Sequence, residues 1–268
     1  MTREVQSLLV LMVGVVTLRL AATDAYLNYV KSGMRPWLLI SGALLVLLAV
    51  ALLWRALIGS REERHADDHA GLRAAPAHGE PEAPDGEAHH DHDHSNGPKV
   101  AWLLLLPVLA VFVVPIDPLG SFAAARQGAR PLELEQKAQY PPLPRPSGGA
   151  VDLPMLEFID RAFYDTEQSL RGVPVRMVGF VAPAGDRDAD FLLSRFIVSC
   201  CAADAMPVQI AVRGVDGAPP PVDSWVEVVG EWEPWDGEPD ASDFVPNLTA
   251  RRVTPVEQPA DPYATFGS

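Results

Sequence analysis

The run Pro36–Trp54, PWLLISGALLVLLAVALLW, carries nineteen residues without a single charge. It constrains the fold more than any other feature of the chain. A helix that crosses a bilayer needs about 20 mostly apolar residues at about 1.5 Å rise each. No polar face interrupts this run, so it does not read as the amphipathic helix of a soluble core. The expectation is a transmembrane helix over about 36–58.

Two further apolar runs lie in the first 120 residues. Val5–Leu18 reaches spanning length if the helix continues past Arg19, predicting a span over about 5–27. Val100–Ile116 reaches it with its flanks, over about 99–118, and Pro107 is tolerable inside a membrane helix. A secretory signal peptide is the rival reading of the first run. Its leading MTRE is only weakly basic, and a second span follows closely, so an anchored hairpin is the simpler expectation.

Lys and Arg near the spans orient a membrane chain. Arg3, Arg55, Arg61, Arg64, Arg73 and Lys99 fall on one side, and Arg19, Lys31, Arg35, Arg126 and Arg130 on the other. The cluster Arg55, Arg61 and Arg64 directly behind the second run decides the orientation. The expectation is a multi-pass protein of the plasma membrane. Its N-terminus and second loop are cytoplasmic, and its C-terminal part is extracytoplasmic.

That second loop, 59–98, is rich in Pro, Gly, Ala and acid and has little to bury, so it reads as disordered. All seven histidines of the protein lie in it: His65, His69, His78, His89, His90, His92 and His94. The densest stretch, HHDHDH, adds Asp91 and Asp93. Imidazole is largely neutral near pH 7 and suits zinc and other divalent transition metals. A flexible tract of this kind favours exchangeable capture over a rigid site. His65 and His69 would share a helix face if the second span extends that far. The bland reading is a linker of biased composition.

Residues 119–151 read as a linker, extended where YPPLPRPSGG gathers Pro and Gly. From Asp152 the pattern changes. MLEFIDRAFYD, 155–165, predicts a short helix with Leu156, Ile159 and Phe163 on one face. Strand-like runs follow at 173–181, 191–200, 207–214, 224–232 and 244–256, separated by Gly, Pro and Asp. Gly179 and Gly230 inside strands predict sharp bends. GVPVRMVGFV and DSWVEVVGEW resemble the first and fourth strands of an OB-fold, the five-stranded barrel. The fold class expected is therefore membrane α plus a small all-β domain: three transmembrane helices, then an OB-like five-stranded barrel over 152–268 preceded by a helix. OB-folds often bind nucleic acid, but from 151 onward there are eight Arg and no Lys against 20 acidic residues. That balance excludes a nucleic-acid partner.

The only cysteines, Cys200 and Cys201, are adjacent in FIVSCCAADAMPVQI. Neighbours in a regular strand point to opposite faces, so acting together requires a turn. AADAMP supplies one, with Asp204 placed to bend back as a hydrogen-bond acceptor or third ligand. Three readings stay open: a thiolate metal site with Asp204, a redox or vicinal-disulfide switch, and two packed thiols. A closed four-ligand Cys/His zinc site cannot form within this domain, which has no histidine and no third cysteine.

Two N-terminal spans, a His/Asp-rich loop, a third span ending in Pro-Ile-Asp, and FIVSCCAADAMPV in a β domain occur in this order. In these features the chain resembles the YcgQ-like family of bacterial membrane proteins over essentially its whole length. The resemblance implies pairing with a YcgR-like multi-span permease and a part in metal homeostasis, with zinc as the expected metal. It transfers no catalytic residue. Cys200, Cys201 and Asp204 carry over only as members of the motif. The functional expectation is a non-enzymatic accessory subunit of a permease that handles a divalent metal, in contact with membrane lipid. The alternatives are a cell-envelope assembly protein whose β domain docks a partner without metal, and an extracytoplasmic redox enzyme.

Overall fold

The computed structural model describes residues 3–70, 106, 109–110, 117–127, 140–144, 149–235 and 245–264. They form two units. One is built from the first two helices. The other combines residues 24–34, the connection between those helices, with the chain from Asp117 onward.

Helix α1 spans Arg3–Ala22 and α2 spans Arg35–Ala70. They pack through small residues. A Cβ on Gly14 would lie 2.9 Å from Val46, and one on Gly42 would lie 2.9 Å from Leu18. Ser7, Ala21 and Ala49 are buried in the same unit. Small side chains at roughly one-heptad spacing let two backbones approach closely, as in membrane helix pairs. The outer surface of α2 is apolar, with Trp37, Leu44, Leu47 and Trp54 exposed.

Among the described residues, one helix is long and apolar enough to cross a membrane, Ser32–Arg55. The expectation of three spans is met for that one alone. The first run yields a shorter apolar helix, Gln6–Ala22, because the chain leaves helical geometry after Ala22 rather than continuing to residue 27. Most of the third run lies outside the described residues. The loop expected to be disordered from residue 59 is helical as far as Ala70. REERHADDHA contains no Pro or Gly to stop the helix that feeds into it.

The second unit contains a five-stranded barrel. Its strands are β2 (Pro174–Ala182), β3 (Phe191–Ile197), β4 (Met206–Arg213), β5 (Trp225–Glu233) and β6 (Asn247–Pro255). β2, β3 and β4 form an antiparallel meander. β5 returns to pair with β2, and β6 closes the ring between β5 and β4, parallel to β4. This closed topology fits the OB-like expectation, and the two segments read as first and fourth strands pair directly. Two short strands escaped the sequence reading: β1 (Val151–Asp152), parallel to β2, and β7 (Tyr263–Ala264), parallel to β3. Two residues are too few to show a period.

The strand alternation predicts the core. Val175, Met177, Val208, Ile210, Val212, Val226 and Val228 are all buried inside. After the short helix α3 (Ser121–Gln127), helix α4 (Met155–Tyr164) packs on the barrel. Its buried face holds Met155, Phe158, Ile159 and Ala162, while Leu156 and Phe163 pack at the margin. The face is therefore rotated from the one expected.

The linker expectation over 119–151 also changes. Ser121–Gln127 forms a short helix, α3, whose Ala124 is fully buried against Phe180, Leu192 and Phe196. Asp223 holds its start, accepting from the Ser121 N–H at 2.6 Å and its hydroxyl at 2.9 Å. Alanine-rich SFAAARQ looks like spacer in sequence because its buried face is made of small residues.

Both strand glycines mark close approaches. A Cβ on Gly179 would lie 2.7 Å from the Ser194 carbonyl, and one on Gly230 would lie 2.5 Å from the Thr249 carbonyl. Gly230→Ala is expected to lower stability by about 1–3 kcal/mol, since a backbone must shift to admit the methyl. Denaturant unfolding of the variant measures this. A change within about 0.5 kcal/mol would show that the strands have room.

Candidate functional site

Strand β3 ends at Ile197, earlier than expected, so Ser199, Cys200 and Cys201 lie beyond regular strand. A single 3₁₀ turn, Ala202–Asp204, then leads into β4. The end of the strand matters because it releases the two cysteines from pointing to opposite faces.

Asp204 organises this turn. Its Oδ1 accepts from the Ser199 N–H at 2.8 Å. Its Oδ2 accepts from the N–H of Cys200 at 2.8 Å and of Cys201 at 3.3 Å. One carboxylate thus ties together the whole approach to the turn, the Asx-like role its spacing predicted. The sulfurs of Cys200 and Cys201 and a carboxylate oxygen of Asp204 all lie within 4.8 Å of one another. Both thiols are unbridged, Cys200 exposed and Cys201 half-buried.

The electrostatics follow from the contacts. A hydrogen bond from the Cys200 thiol, reinforced by the three backbone N–H groups, lowers the Asp204 pKa to about 2 against the opposing effect of desolvation. The same bond to Asp204, with a further one to Cys201, pushes the Cys200 thiol up to about 12. A thiol held protonated is a poor nucleophile, which weighs against the redox reading. A cation replaces the protons of such a cluster and inverts this balance. Asp204 can serve as a ligand as well as a loop former, since Oδ1 accepts one backbone bond and retains a lone-pair direction.

His65 and His69 fall within α2. His78, His89, His90, Asp91, His92, Asp93 and His94 lie outside the described residues.

Sequence reading missed what flanks the cysteines. Residues 24–34 belong to the same unit as the barrel. Val30 forms an antiparallel bridge with Cys201. Lys31 N–H donates to the Cys200 carbonyl at 3.1 Å, and Ala202 N–H donates to the Tyr29 carbonyl at 2.7 Å. Tyr263 on β7 secures the same strap. Its hydroxyl donates to the Asn28 carbonyl at 2.9 Å and accepts from Leu119 N–H at 3.3 Å. Burial raises its pKa, so it stays a donor. These contacts join positions more than 100 residues apart through backbone atoms, and backbone pairing leaves no residue-type signal over so short a bridge.

The N-terminal half, residues 5–130, matches the family model described as the DUF1980 N-terminal domain. Residues 156–265 match the DUF1980 C-terminal domain, which contains the whole cysteine turn. The chain belongs to the DUF1980 family. This family has no established activity. No curated protein and no solved structure matches the chain. In this DUF1980 protein the two family domains correspond broadly to the helical half and the barrel, but the interhelical strap crosses that division.

Proposed function

We propose that this DUF1980 protein is a non-enzymatic, membrane-anchored subunit for handling a divalent metal, zinc in the first instance. On this reading the turn at Cys200, Cys201 and Asp204 is an open three-ligand site. The observation that carries it is the convergence of two unbridged thiols and a carboxylate within 4.8 Å on one accessible turn. Two soft sulfurs and one hard oxygen suit a borderline cation such as Zn²⁺. Three protein ligands leave a position for water or for a donor from a partner, which suits transfer rather than storage. The His-rich segment would collect metal on the opposite side of the membrane. A multi-span permease of the YcgR-like kind is the proposed partner.

Three membrane crossings belong to the same proposal. The connection 24–34 and the barrel are parts of one compact unit. A chain that leaves that side through α2 has to recross before Asp117, and Val100–Ile116 is the apolar run available for it. The OB-like description of the barrel is likewise part of this reading, supported by the parallel β4–β6 closure.

The test is zinc binding by full-length protein in detergent, with cobalt(II) as a spectroscopic probe of thiolate ligation. Changing both Cys200 and Cys201 to Ser is expected to abolish the sulfur-to-cobalt absorption and weaken one zinc site at least tenfold. Deleting 71–98 is expected to reduce stoichiometry and leave that absorption intact. If neither change alters zinc affinity or stoichiometry, the metal reading is wrong and metal-independent docking of a partner takes its place.

A further inference from the structure

The barrel unit is strongly acidic, yet four of the eight arginines that follow residue 150 line a single cleft of about 870 Å³. They are Arg171, Arg176, Arg251 and Arg252. Among the described residues, no acidic side chain lines it. Its volume is that of an ordinary small-ligand pocket, roughly 300–1,000 Å³. It involves neither the cysteine turn nor the strap.

Strand register explains why the arginines gather. Arg176 on β2 pairs with Val229 on β5, and Val229 pairs with Arg252 on β6. Residues directly opposite on adjacent strands share a face, so these three form one row across three strands. The β5–β6 register then shifts between Val229 and Gly230, leaving Arg251 as the extra residue of a β-bulge. A bulge breaks the alternation that would send Arg251 to the other face. Gly230 permits it, because a Cβ there would meet the Thr249 carbonyl. Arg171 comes from the turn before β2, next to Gly172 at φ +68.

Two of the four charges are compensated. Arg176 pairs with Asp152 at 3.0 Å and lies 3.6 Å from Glu227, and Arg251 pairs with Glu231. Among the described residues, Arg171 and Arg252 have no ion-pair partner, and both are exposed. Arg171 and Arg252 therefore present two unpaired guanidinium groups beside two others, a local positive surface that attracts an anion. Arginine presents planar, forked donors that match phosphate oxygens.

We propose that this cleft binds a compact phosphate-bearing anion with two phosphate-type charges, one for each uncompensated arginine. The anion is either a soluble phosphoester or an anionic phospholipid headgroup, and both present the same chemistry to the cleft. The net charge of the unit disfavours long polyanions, so the recognised group is small.

Full-length protein in zwitterionic nanodiscs, titrated calorimetrically with pyrophosphate, tests the soluble source. Flotation of the same nanodiscs with cardiolipin vesicles, whose headgroup carries two phosphodiester charges, against phosphatidylcholine vesicles, tests the headgroup. Binding in either assay is expected to weaken at least tenfold in the Arg171→Ala/Arg252→Ala double variant and with rising salt. Arg187→Ala, outside the cleft, is expected to leave it unchanged. Both substituted arginines are exposed, so circular dichroism should match wild type. Arg252→Glu provides a second variant, expected to remove binding outright. Pyrophosphate binding alone identifies a soluble ligand, and vesicle binding alone identifies a headgroup. Absence of both, or equal binding by the double variant and wild type, overturns the proposal.

Discussion

In metal-free protein at pH 8, Cys200 is expected to react with a maleimide roughly 30-fold more slowly than an ordinary exposed thiol. The comparison is made in a Cys201→Ser background, so that one sulfur is read. Cys200 is exposed, so access is not the obstacle. The obstacle is the thiol proton, held chiefly by Asp204 and pushed up to about 12. Raising a thiol pKa by about three units lowers the thiolate fraction about a thousandfold. The stronger nucleophilicity of a more basic thiolate returns part of that, with a Brønsted slope of about 0.4–0.5. Asp204→Asn keeps an oxygen for the backbone N–H groups and removes the charge, so it should accelerate alkylation at least tenfold. The pH profile carries the sign. The Asp204 form should gain rate steadily through pH 10, whereas the Asn form should level off near an ordinary thiol pKa. Equal rates and coincident profiles would show that Asp204 shapes the turn without holding the thiol proton.

What could be read from the residues differs sharply between the two units. The barrel strands follow from alternation, because the face turned into the barrel carries the large apolar side chains, even in β3 and β4, where both faces are buried. Val208, Ile210 and Val212 carry that signal almost unaided. The helix 155–165 was legible as an element, but the orientation of its face was not. Phe158 is fully buried where the pattern favoured Leu156 and Phe163. In the helical unit, composition announces an apolar environment and says little about where helices stop. α1 ends at Ala22, and α2 runs on through charged residues to Ala70.

The candidate site shows the same division. The turn and the role of Asp204 were legible because a carboxylate three residues after Cys201, in a short connection between two strands, has few alternatives. The strap over residues 29–31 was not, since it is held by carbonyls and N–H groups that every residue possesses. The arginine cleft was illegible for a further reason. Arg171, Arg176, Arg251 and Arg252 are scattered over 80 residues, and their meeting depends on a strand register and a bulge. The overall negative charge of the region conceals a local positive surface, because net charge averages over faces that a barrel keeps apart.

Arg161→Ala is expected to cost the barrel unit about 3 kcal/mol or more, the largest single loss of stability among these variants. Arg161 lies on α4 with only 3 % of its surface exposed. Its Nε and one terminal nitrogen donate to Glu157 Oε1 at 3.0 and 2.8 Å, one helical turn away. The other terminal nitrogen donates to the Pro141 carbonyl at 2.9 Å and the Ser169 hydroxyl at 2.8 Å. The guanidinium also lies 5.4 Å from the Tyr140 ring centre. One side chain therefore joins the segment before β1, the helix and the turn that follows it. Truncation leaves the Pro141 carbonyl and Ser169 hydroxyl without this donor, opens a cavity, and leaves Glu157 without its counter-charge. Arg161→Lys keeps the charge but lacks the fork, so it recovers only part of the loss. Arg176→Ala is the contrasting case. Its pair with Asp152 is solvent-exposed, with 34 % and 79 % of the two side chains accessible, and its loss should cost below about 1 kcal/mol. Thermal unfolding of the full-length variants, followed by tryptophan fluorescence, separates the two. At about 3 kcal/mol, Arg161→Ala should lower the midpoint by roughly 10 °C or more. A shift no larger than that of Arg176→Ala would show that water replaces the arginine and that burial adds nothing to its bonds.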